Sequence, residues 1–517
     1  MTPQARLSRT VAPLLRAAYS TGPAISRLPP LLSSFESDPS TSSSATPASR
    51  PTRLNGWVAS IRKQKNVSFA AISDGSKVGR TQVVLPKGLE QGLTVGCSAT
   101  FEGEWVQGPK SGQEFRANEV TWIGESDAQS YPIPNTKQGI PLPILRHNAH
   151  LRGRKQAMMS VMNLRSEMNW AMTNYFRSEG FIKVEAPIIT SSDCEGGGEV
   201  FKVVDATPPP PPASTSSSSS SKVPGSSLDP PPSPSRYLSV SSQLHLEAIA
   251  SSHPRVYALS PCFRAEKSDT ARHLQEFWML EAEMSFLASD PAEALEQVMN
   301  VAESSVRAIT RHVVDLPEFE WLASTKAGLE VGLEKRTRGL IAHDPYRRMT
   351  YSEAVERLQE EETKNGPRFQ FRPVWGASLQ TEHEKFLAEE LVKGPVFVTD
   401  YPTDLKPFYM LQNPASLRSG DSTRTTTACF DLLVPELGEL AGGSLRTHSL
   451  DDLVQALKRN PNLKEEEYGW YFDLRRYGTT RHGGFGIGWE RLVGLLTGMG
   501  NVRECIAFPR AGEGSRF

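Results

Sequence analysis

The sequence predicts an α+β protein in which a small β-barrel precedes a larger domain of helices and β-hairpins. Short alternating segments, separated by polar turns, crowd into residues 54–124, and an apolar pattern of helical spacing follows at residues 158–176. A long hairpin pattern then spans residues 255–286. With 517 residues, the chain exceeds the roughly 250–300 residues at which one hydrophobic core stops growing, so two or more domains are expected.

Charge and composition exclude several classes of protein. Lys and Arg together number 57 against 58 Asp and Glu, so the formal net charge of −1 excludes a uniformly basic nucleic-acid coat, though not a local basic face. No apolar run approaches the roughly 18 residues of a membrane-spanning helix, so no membrane partner is expected. The five cysteines lie far apart without a CxxC pair, which argues against a zinc ribbon or a dense disulfide framework and fits a reducing compartment.

The first 35 residues contain no Asp or Glu and are rich in Ser, Ala and Leu. Their basic residues are Arg6, Arg9, Arg16 and Arg27. This composition is typical of a mitochondrial transit peptide, and residues 36–52 continue as a Ser/Thr/Pro linker. We therefore predict that residues 1–52 form a transit peptide and a disordered linker, and that the mature protein resides in the mitochondrial matrix. An untargeted disordered tail is the alternative.

Residues 53–125 carry the pattern of a small barrel. The alternating segments are residues 54–62, 67–72, 81–85 and 99–106. Several short strands in so small a segment predict an OB-fold. Arg62, Lys63 and Lys65 form a basic turn near Phe69, a combination suited to single-stranded nucleic acid. The alternative places Phe69 in the barrel core beside an exposed turn.

The region after the barrel combines a linker, a long helix and two insertions. Residues 126–150 are rich in Pro and polar residues, which predicts an interdomain linker. The apolar residues of the next segment recur at helical spacing, and the helix should stop at Gly180. Residues 206–235 hold Pro and Ser runs with too few apolar residues to offset the entropy of ordering, which predicts a disordered surface insertion in the domain of residues 151–517. Residues 413–427 resemble a smaller insertion.

The most informative segment is a predicted hairpin whose strands are residues 255–266 and 276–284. Alternation places only apolar side chains on one face of the second strand and its continuation, namely Trp278, Leu280, Ala282, Met284 and Phe286. The opposite face mixes aromatic, cationic and acidic side chains, namely Arg264, Glu266, Phe277, Met279, Glu281 and Glu283. Because a solvated face seldom carries a Phe between charged groups, this face predicts a binding site. A structural ion-pair network is the alternative.

Two further segments indicate phosphate and metal chemistry. The closely spaced glycines of residues 483–488 let the backbone approach a ligand, and the predicted helix that follows carries Arg491 in its first turn. A cation is disfavoured at a helix N-terminus unless it has an anionic partner such as phosphate. Glu436 and Glu439 follow an apolar strand and precede a Gly pair, where carboxylates suit a Mg²⁺ ion bridged to substrate phosphates. Solvated acids at a strand end are the alternative.

These segments together resemble the asparaginyl-tRNA synthetases, which are class II aminoacyl-tRNA synthetases of the aspartate-like subgroup. The second class motif is similar to residues 263–279, the third to residues 484–491 and the weaker first motif to residues 181–187. Other matching segments are residues 193–201, 400–402, 438–446, 473–478 and 508–510. The resemblance spans residues 54–517 apart from the insertions.

The resemblance implies a fold and a reaction. The fold is an N-terminal OB-fold that binds the anticodon, followed by a class II catalytic domain with an antiparallel sheet flanked by helices, which forms a homodimer through the first motif. The reaction is the ATP-dependent attachment of asparagine to tRNA(Asn). The carboxylate of asparagine attacks the α-phosphate of ATP, and the 3′ end of the tRNA then takes the acyl group. Catalysis rests on positioning and charge stabilisation, with Mg²⁺ as the cofactor.

The resemblance also implies roles for individual residues in ATP binding. Arg264 would hold the α-phosphate, and Glu266 would bind the adenine amino group. Phe277 would stack under adenine, with Arg491 above it as a cation–π partner near the γ-phosphate. Arg264 and Arg491 are therefore the predicted catalytic residues.

Further implied roles concern the tail of ATP, the amino acid and the tRNA. Arg272 and His273 would lie in the loop over the tail phosphates and the tRNA end, and Glu439 would hold Mg²⁺. The residues expected to line the amino-acid pocket are Glu195, Gln243 and Arg446, of which the last would reach the side-chain oxygen of the substrate. The residues expected to contact an anticodon base are Arg62, Phe69 and Gln82.

Asparagine rather than aspartate is the predicted substrate. Aspartyl enzymes of the superfamily carry a Lys shortly after the pocket Gln, whereas this chain has Leu246 and Glu247 after Gln243. A neutral amide needs one donor and one acceptor, and a mismatch of buried polar groups discriminates by about 10⁴–10⁵. Asp269 and Trp489 depart from the family pattern, in which Asn and Phe are usual at these positions.

Two alternatives stay open at this point. One is an aspartyl-tRNA synthetase or an enzyme of relaxed specificity. The other is a catalytically inactive synthetase-like protein that binds RNA. The second alternative predicts loss of the ATP-binding residues, yet Arg264, Phe277, Glu439 and Arg491 are all present.

Overall fold

The computed structural model describes residues 52–108, 112–133, 140–191, 200–204, 236–266, 270–324, 332–414, 424–461 and 463–510. The chain divides into two compact units, one ending at Gln138 and the other beginning at Gly139. The predicted transit peptide and linker, apart from Thr52, lie outside the described residues, as does the predicted insertion at residues 206–235.

The N-terminal unit is a closed five-stranded barrel, which confirms the predicted barrel fold. Its strands are β1 (Thr52–Lys63), β2 (Val67–Ser73), β3 (Thr81–Pro86), β4 (Ser98–Gln107) and β5 (Gln113–Gly124). They follow the order β1-β2-β3-β5-β4, with β3 and β5 parallel and the other neighbours antiparallel. The sequence pattern does not predict β5, because Phe115 and Ala117 are its buried residues and most of its other positions are polar.

Alternating side chains of the strands fill the barrel. In β2, Ala70 and Ile72 are buried, whereas Phe69 is half-buried on the outer face. The alternative that placed Phe69 in the barrel core is therefore wrong. The core residues are Leu54, Val58, Ala70, Ile72, Val83, Leu85, Leu93, Cys97, Ala99, Phe101, Phe115 and Ala117. Burial of each large apolar side chain among them contributes about 1.5–3 kcal/mol to the free energy of folding.

The larger unit is built on an eight-stranded sheet. In the order of the sheet, its strands are β12 (Arg347–Thr350), β13 (Val396–Thr399), β14 (Cys429–Val434), β15 (Gly438–Leu445), β16 (His482–Gly488), β11 (Glu276–Ser285), β10 (Arg255–Phe263) and β6 (Ile182–Lys183). The central pairs are antiparallel, as predicted. The sheet is nevertheless mixed, because β12 pairs with β13 and β10 pairs with β6 in parallel. Long connections that contain helices join these parallel pairs, as parallel pairing requires.

The remaining elements of the larger unit are a small sheet and the helices. The small sheet has the order β7 (Ile189–Thr190), β9 (Arg236–Leu238) and β8 (Lys202–Val203). The α-helices are α1 (Leu142–His147), α2 (Ala149–Arg152), α3 (Gln156–Ser178), α4 (Gln243–Ala250), α5 (Pro291–Val313), α6 (Pro317–Ser324), α7 (Leu333–Ala342), α8 (Tyr351–Asn365), α9 (Thr381–Lys385), α10 (Leu450–Lys458), α11 (Gly469–Arg476) and α12 (Trp489–Thr497). A π-helical turn covers Phe386–Leu391, and 3₁₀ turns cover Thr403–Leu405, Glu465–Tyr468 and Val502–Glu504. Within the described residues, none of the helices is both long and apolar enough to cross a membrane.

Helix boundaries agree in part with the sequence pattern. α3 ends at Ser178, and Gly180 follows with a φ of +79°, which confirms the predicted stop. The predicted linker of residues 126–150 is partly helical, because it contains α1 and the first residues of α2. A proline at the start of α1 is compatible with the first helical turn, and Leu145 gives the helix a buried side chain.

The main core lies between one face of the sheet and helices α3, α5, α6, α7 and α12. Leu280, Ala282 and Met284 of β11 belong to this core, as predicted. Phe286 does not, because β11 ends at Ser285 and Phe286 adopts a left-handed φ of +59° that leaves its side chain 76% exposed. The prediction for Phe286 is therefore wrong. The opposite face of the sheet carries the candidate site.

Candidate active site

The residues predicted to bind ATP line a single cavity on the face of the sheet opposite the main core. These residues are Arg264, Glu266, Arg272, His273, Phe277, Glu439 and Arg491. The β10–β11 hairpin and its connecting loop, strand β15 and helix α12 supply them. Segments that lie far apart in the sequence therefore meet at one site.

One wall of the cavity is the turn of the β10–β11 hairpin. β10 ends at Phe263, before the predicted end at residue 266, but the Arg264 N–H still donates to the Gln275 carbonyl oxygen over 3.0 Å. The guanidinium carbon of Arg264 lies 5.4 Å from the centroid of the Phe277 ring, and its Nη1 lies 3.9 Å from the Glu266 carboxylate. A cation, an aromatic ring and a carboxylate thus stand together, which suits a purine base beside a phosphate.

After His482, strand β16 contributes glycine backbone to the site. A Cβ added to Gly484 would lie 2.1 Å from a carboxylate oxygen of Glu283, and one added to Gly486 would lie 3.1 Å from the sulfur of Met279. Glycine is therefore required where the neighbouring strand projects its side chains across β16.

Helix α12 places Arg491 in its first turn, as predicted. The Arg491 guanidinium donates to the Glu439 carbonyl oxygen over 3.1 Å and lies 3.3 Å from the Glu439 carboxylate. The side chain remains 30% exposed, so it can still reach an anion in the cavity. Trp489, which stands where the family usually has Phe, is buried in the main core.

Carboxylates gather at the Glu439 side of the ATP cavity. Lys406 Nζ lies 3.0 Å from both oxygens of Asp431. A Cβ added to Gly442 would lie 3.4 Å from Asp431 Oδ1 and 3.7 Å from Glu439 Oε1, so both acids flank one point of the sheet. Burial raises the pKa of Glu384 to about 7, and the negative charges of Glu439 and Asp431 add to the rise. Lys406 pairs with Asp431 and Arg491 with Glu439, and the Glu439 side chain, 42% exposed, remains accessible as an oxygen ligand for a hard cation such as Mg²⁺.

Glu436 takes no part in this group of acids, although its sequence position beside Glu439 suggested a shared role. The backbone of Glu436 is left-handed, with a φ of +67°. Its carboxylate pairs with Arg336, and its N–H donates to Glu389 over 2.5 Å. The tight turn after β14 therefore turns Glu436 away from the cavity, while Glu439 faces it.

A second polar cluster, fully buried, lies where β11, β15 and β16 meet helices α4 and α11. Arg446 donates to the Glu283 carboxylate from Nε and Nη2 over 3.2 and 2.9 Å. Glu247 accepts a hydrogen bond of 2.9 Å from Arg475 and lies 3.0 Å from His482 Nε2. Arg446 Nε lies 3.8 Å from Glu247, which joins the two pairs into one network.

The predicted amino-acid pocket coincides with this cluster. Gln243 begins α4, and its amide donates to Glu247 Oε1 over 3.0 Å. The structure thus brings the predicted Gln243 and Arg446 together, whereas Glu195 lies outside the described residues. Sequence reasoning assigned no role to Glu247 or Glu281. The signal for Glu281 was its place on the mixed face of the hairpin.

The electrostatics of the cluster set its chemistry. Burial raises the pKa of Glu281 and of Glu283. Burial acts in the same direction on Glu247, but Arg475, His482 and Arg446 outweigh it and hold the pKa of Glu247 far below its usual range. Glu247, Glu283 and His482 have ligand atoms within 4.8 Å of one another. Since the arginines already supply positive charge at this point, we assign no metal to these three residues.

The barrel residues predicted to contact a base share one outer face of the barrel. Arg62 and Phe69 are partners across β1 and β2, and the guanidinium carbon of Arg62 lies 5.0 Å from the Phe69 ring centroid. Gln82 pairs with Ala71, two residues from Phe69, and its amide donates to Glu114 over 2.7 Å. A cation and an aromatic ring with a half-exposed face form a platform on which a base can stack.

Comparisons with known proteins agree with this fold and site. The family of tRNA synthetases class II (D, K and N) matches residues 143–512, and the family of OB-fold nucleic acid binding domains matches residues 52–123. Together with the ATP cavity on the antiparallel strands, these matches define a class II tRNA synthetase with an N-terminal OB-fold.

Comparison with individual proteins identifies the family within this class. The asparagine–tRNA ligase of Desulfotalea psychrophila (strain LSv54 / DSM 12343) is 39% identical over 468 residues, which cover 88% of this chain and 94% of the relative. The asparaginyl-tRNA synthetase of Mus musculus is 38% identical and covers 88% of this chain and 89% of its own length. The crystal structure of asparaginyl-tRNA synthetase from Pyrococcus horikoshii complexed with asparaginyl-adenylate is 28% identical, with a TM-score of 0.73 over 90% of this chain and 95% of that chain. This chain belongs to the family of asparagine–tRNA ligases.

Arg264→Ala is expected to lower the rate of adenylate formation by about 10²–10³, because a positioned cation stabilises the charge that develops in the transition state. The measurement is ATP–pyrophosphate exchange by the purified protein with asparagine, with tRNA binding followed separately and expected to survive. Arg338→Ala is the matched control, since Arg338 is an exposed cation that pairs with Glu334 on α7. Near-normal exchange by a folded Arg264→Ala protein would contradict the assignment.

Phe69→Ala is expected to weaken aminoacylation through its tRNA dependence and to spare pyrophosphate exchange measured without tRNA. The reason is that base–aromatic stacking contributes roughly 1–3 kcal/mol. Trp122→Ala, which removes another exposed aromatic ring of the barrel, serves as the control. A parallel fall of both activities would mean that Phe69 supports the barrel instead.

Proposed function

We propose that this chain attaches asparagine to tRNA(Asn) in an ATP-dependent reaction that passes through asparaginyl-adenylate, and that it does so for mitochondrial translation. The observation that carries the choice of substrate is the buried network of Glu247, Glu283, Arg446 and Arg475 beside the ATP cavity. Membership of the asparagine–tRNA ligase family supports the reaction type.

In this proposal the residues of the chain act by positioning and by electrostatics. The carboxylate of asparagine attacks the α-phosphate of ATP, the bond to the β-phosphate breaks, and pyrophosphate leaves. Arg264 and Arg491 stabilise the negative charge that develops on the phosphate oxygens. Phe277 holds adenine by stacking, and Glu266 accepts a hydrogen bond from its amino group. Mg²⁺ held by Glu439 neutralises phosphate charge when it is bound.

The charge balance of the buried network favours a neutral amide over a carboxylate. Arg446 pairs with Glu283 and Glu247, and Arg475 and His482 pair with Glu247, so each cation of the network already has an acid partner within the protein. Arg446 can donate to the amide oxygen of asparagine, while Glu247 can accept from the amide nitrogen. An aspartate carboxylate would instead meet the ionised Glu247 in a site that excludes water, which is costly.

We also propose a homodimer that forms through the first motif. β6 is an edge strand of the eight-stranded sheet, and an exposed edge is a surface on which a second chain can pair. Apolar residues of this region are exposed, namely Ile182, Ile188 and Ile189. Exposed apolar residues beside an open edge are typical of an interface between subunits.

Mitochondrial import is proposed from the composition of the N-terminal segment. Its first 35 residues contain arginines but no acids, which favours translocation toward a negative interior. The proposed site of action is the mitochondrial matrix.

Pyrophosphate exchange with asparagine and aspartate side by side tests the proposed substrate. Exchange with asparagine should exceed exchange with aspartate by about 10⁴, because the pocket leaves buried polar groups mismatched with aspartate. Glutamine, whose amide is one methylene further from the α-carbon, is the control for the fit of the side chain. Comparable rates with aspartate would favour a relaxed or aspartyl enzyme, and no exchange with either amino acid would favour an inactive RNA-binding protein.

A fusion of residues 1–50 to a fluorescent reporter tests the proposed localisation. The reporter should accumulate in mitochondria. The same fusion with its N-terminal arginines replaced by Gln is the control and should remain in the cytosol, because import depends on the basic residues. A diffuse signal from the unaltered fusion would overturn the localisation and leave the enzyme assignment untouched.

A further inference from the structure

Helix α9, Thr381–Lys385, contacts residues that line the cavity although it belongs to none of the three class motifs. It packs against β15. Thr381 Oγ1 accepts a hydrogen bond of 3.1 Å from Arg272 Nη1, and Glu384 Oε2 accepts one of 3.3 Å from the Glu439 N–H. One short helix therefore contacts both the proposed metal-binding acid and an arginine of the ATP cavity.

The backbone at Gly438 is shaped to admit Glu384. A Cβ added to Gly438 would lie 2.5 Å from Glu384 Oε2 and 3.6 Å from Arg272 Nη1. Gly438 also has a φ of +82°, a conformation that a residue with a side chain rarely adopts. The carboxylate of Glu384 thus lies against the backbone at a point where only glycine leaves room for it.

Glu384 also acts electrostatically on Arg272. Burial lowers the pKa of Arg272, and among the acids that oppose this effect Glu384 acts most strongly, ahead of Glu439 and Glu389. Arg272 is therefore bonded to a hydroxyl of α9 at Nη1, and Glu384 of the same helix acts on it electrostatically at longer range.

Helix α9 is itself fixed in place by its other side chains. The buried ring of His383 accepts from the Gln380 N–H at Nδ1 over 3.1 Å and donates from Nε2 to the Phe371 carbonyl oxygen over 2.7 Å. Glu382 accepts from the N–H groups of Gln370 and Phe371 over 3.0 and 2.8 Å. These bonds tie α9 to the preceding loop, so Glu384 meets the backbone of Glu439 from a fixed support.

We propose that Glu384 is a positioning residue of the ATP site, which fixes the backbone of Glu439 so that its carboxylate meets the metal of Mg²⁺–ATP, while Thr381 of the same helix holds Arg272. This inference rests on the proposed function. Glu384 accepts from the Glu439 N–H and lies against Gly438, at the Glu439 end of the site and apart from the buried amino-acid network. Its loss should therefore affect ATP and Mg²⁺, and leave asparagine binding unchanged.

The experiment compares wild type with Glu384→Ala, Glu384→Gln and the control Glu356→Ala, which removes an exposed glutamate of α8. Binding of the non-cleavable analogue α,β-methylene-ATP is measured by calorimetry with and without Mg²⁺, and KM values come from pyrophosphate exchange. In Glu384→Ala, the Mg²⁺-dependent gain in affinity should fall about 10–100-fold, the range for residues that orient metal ligands, with KM for asparagine unchanged. Glu384→Gln should retain most of the gain, because its amide oxygen can still accept from the Glu439 N–H.

The outcomes separate this inference from the proposed function. A Mg²⁺-dependent gain in Glu384→Ala equal to that of wild type would overturn the inference, even if wild type exchanges with asparagine. Absence of exchange in wild type would overturn the proposed function, while the calorimetric comparison would still decide the role of Glu384. If Glu384→Ala does not fold, Glu384→Asp keeps the charge and shortens the reach. A full gain in Glu384→Asp would then overturn the inference, and a reduced gain would support it.

Discussion

The glycines at positions 484 and 486 of strand β16 are the constraint on which both halves of the site depend. β16 lies between β11 and β15, and its glycines leave the space that their neighbours occupy. A side chain at Gly484 would displace Glu283, and Glu283 is the carboxylate that holds Arg446. A side chain at Gly486 would press on Met279 at the floor of the ATP cavity. The buried network and the cavity can therefore share one sheet because Gly484 and Gly486 leave room for the side chains of the neighbouring strand β11.

The two halves of the site differ in the surroundings of their charged groups. In the amino-acid network, buried acids and arginines compensate one another, and removal of one partner from such a pair typically costs about 3–5 kcal/mol. At the Glu439 side of the cavity Lys406 pairs with Asp431, and Arg491 pairs with Glu439, whose side chain stays 42% exposed. A buried and balanced network suits an uncharged side chain, whereas an accessible carboxylate suits a metal ion. The same sheet thus carries a closed ionic network next to an open acidic one.

Much of this arrangement is predictable from the sequence, and the part that is not has a physical reason. Alternation along β11 separates core residues from site residues, and the helix start at Trp489 correctly places Arg491. Phe286 was misplaced because alternation says nothing about where a strand ends, and a left-handed residue ends this one. The sequence did not predict strand β5, because its position is set by pairing that closes the barrel and not by an apolar pattern of its own. The sequence did not predict a role for Glu384 either, because Glu384 reaches the site only through contacts between α9 and strand β15, which are distant in the sequence.

Because Phe69 lies outside the barrel core, the face that carries it can change independently of the core. The core of the barrel is closed by residues such as Ile72, Val83 and Phe101, and none of them points to the face that carries Arg62 and Phe69. Substitutions on that face therefore cost little folding stability, because they open no cavity. Side chains on that face can therefore change while the interior of the barrel stays closed.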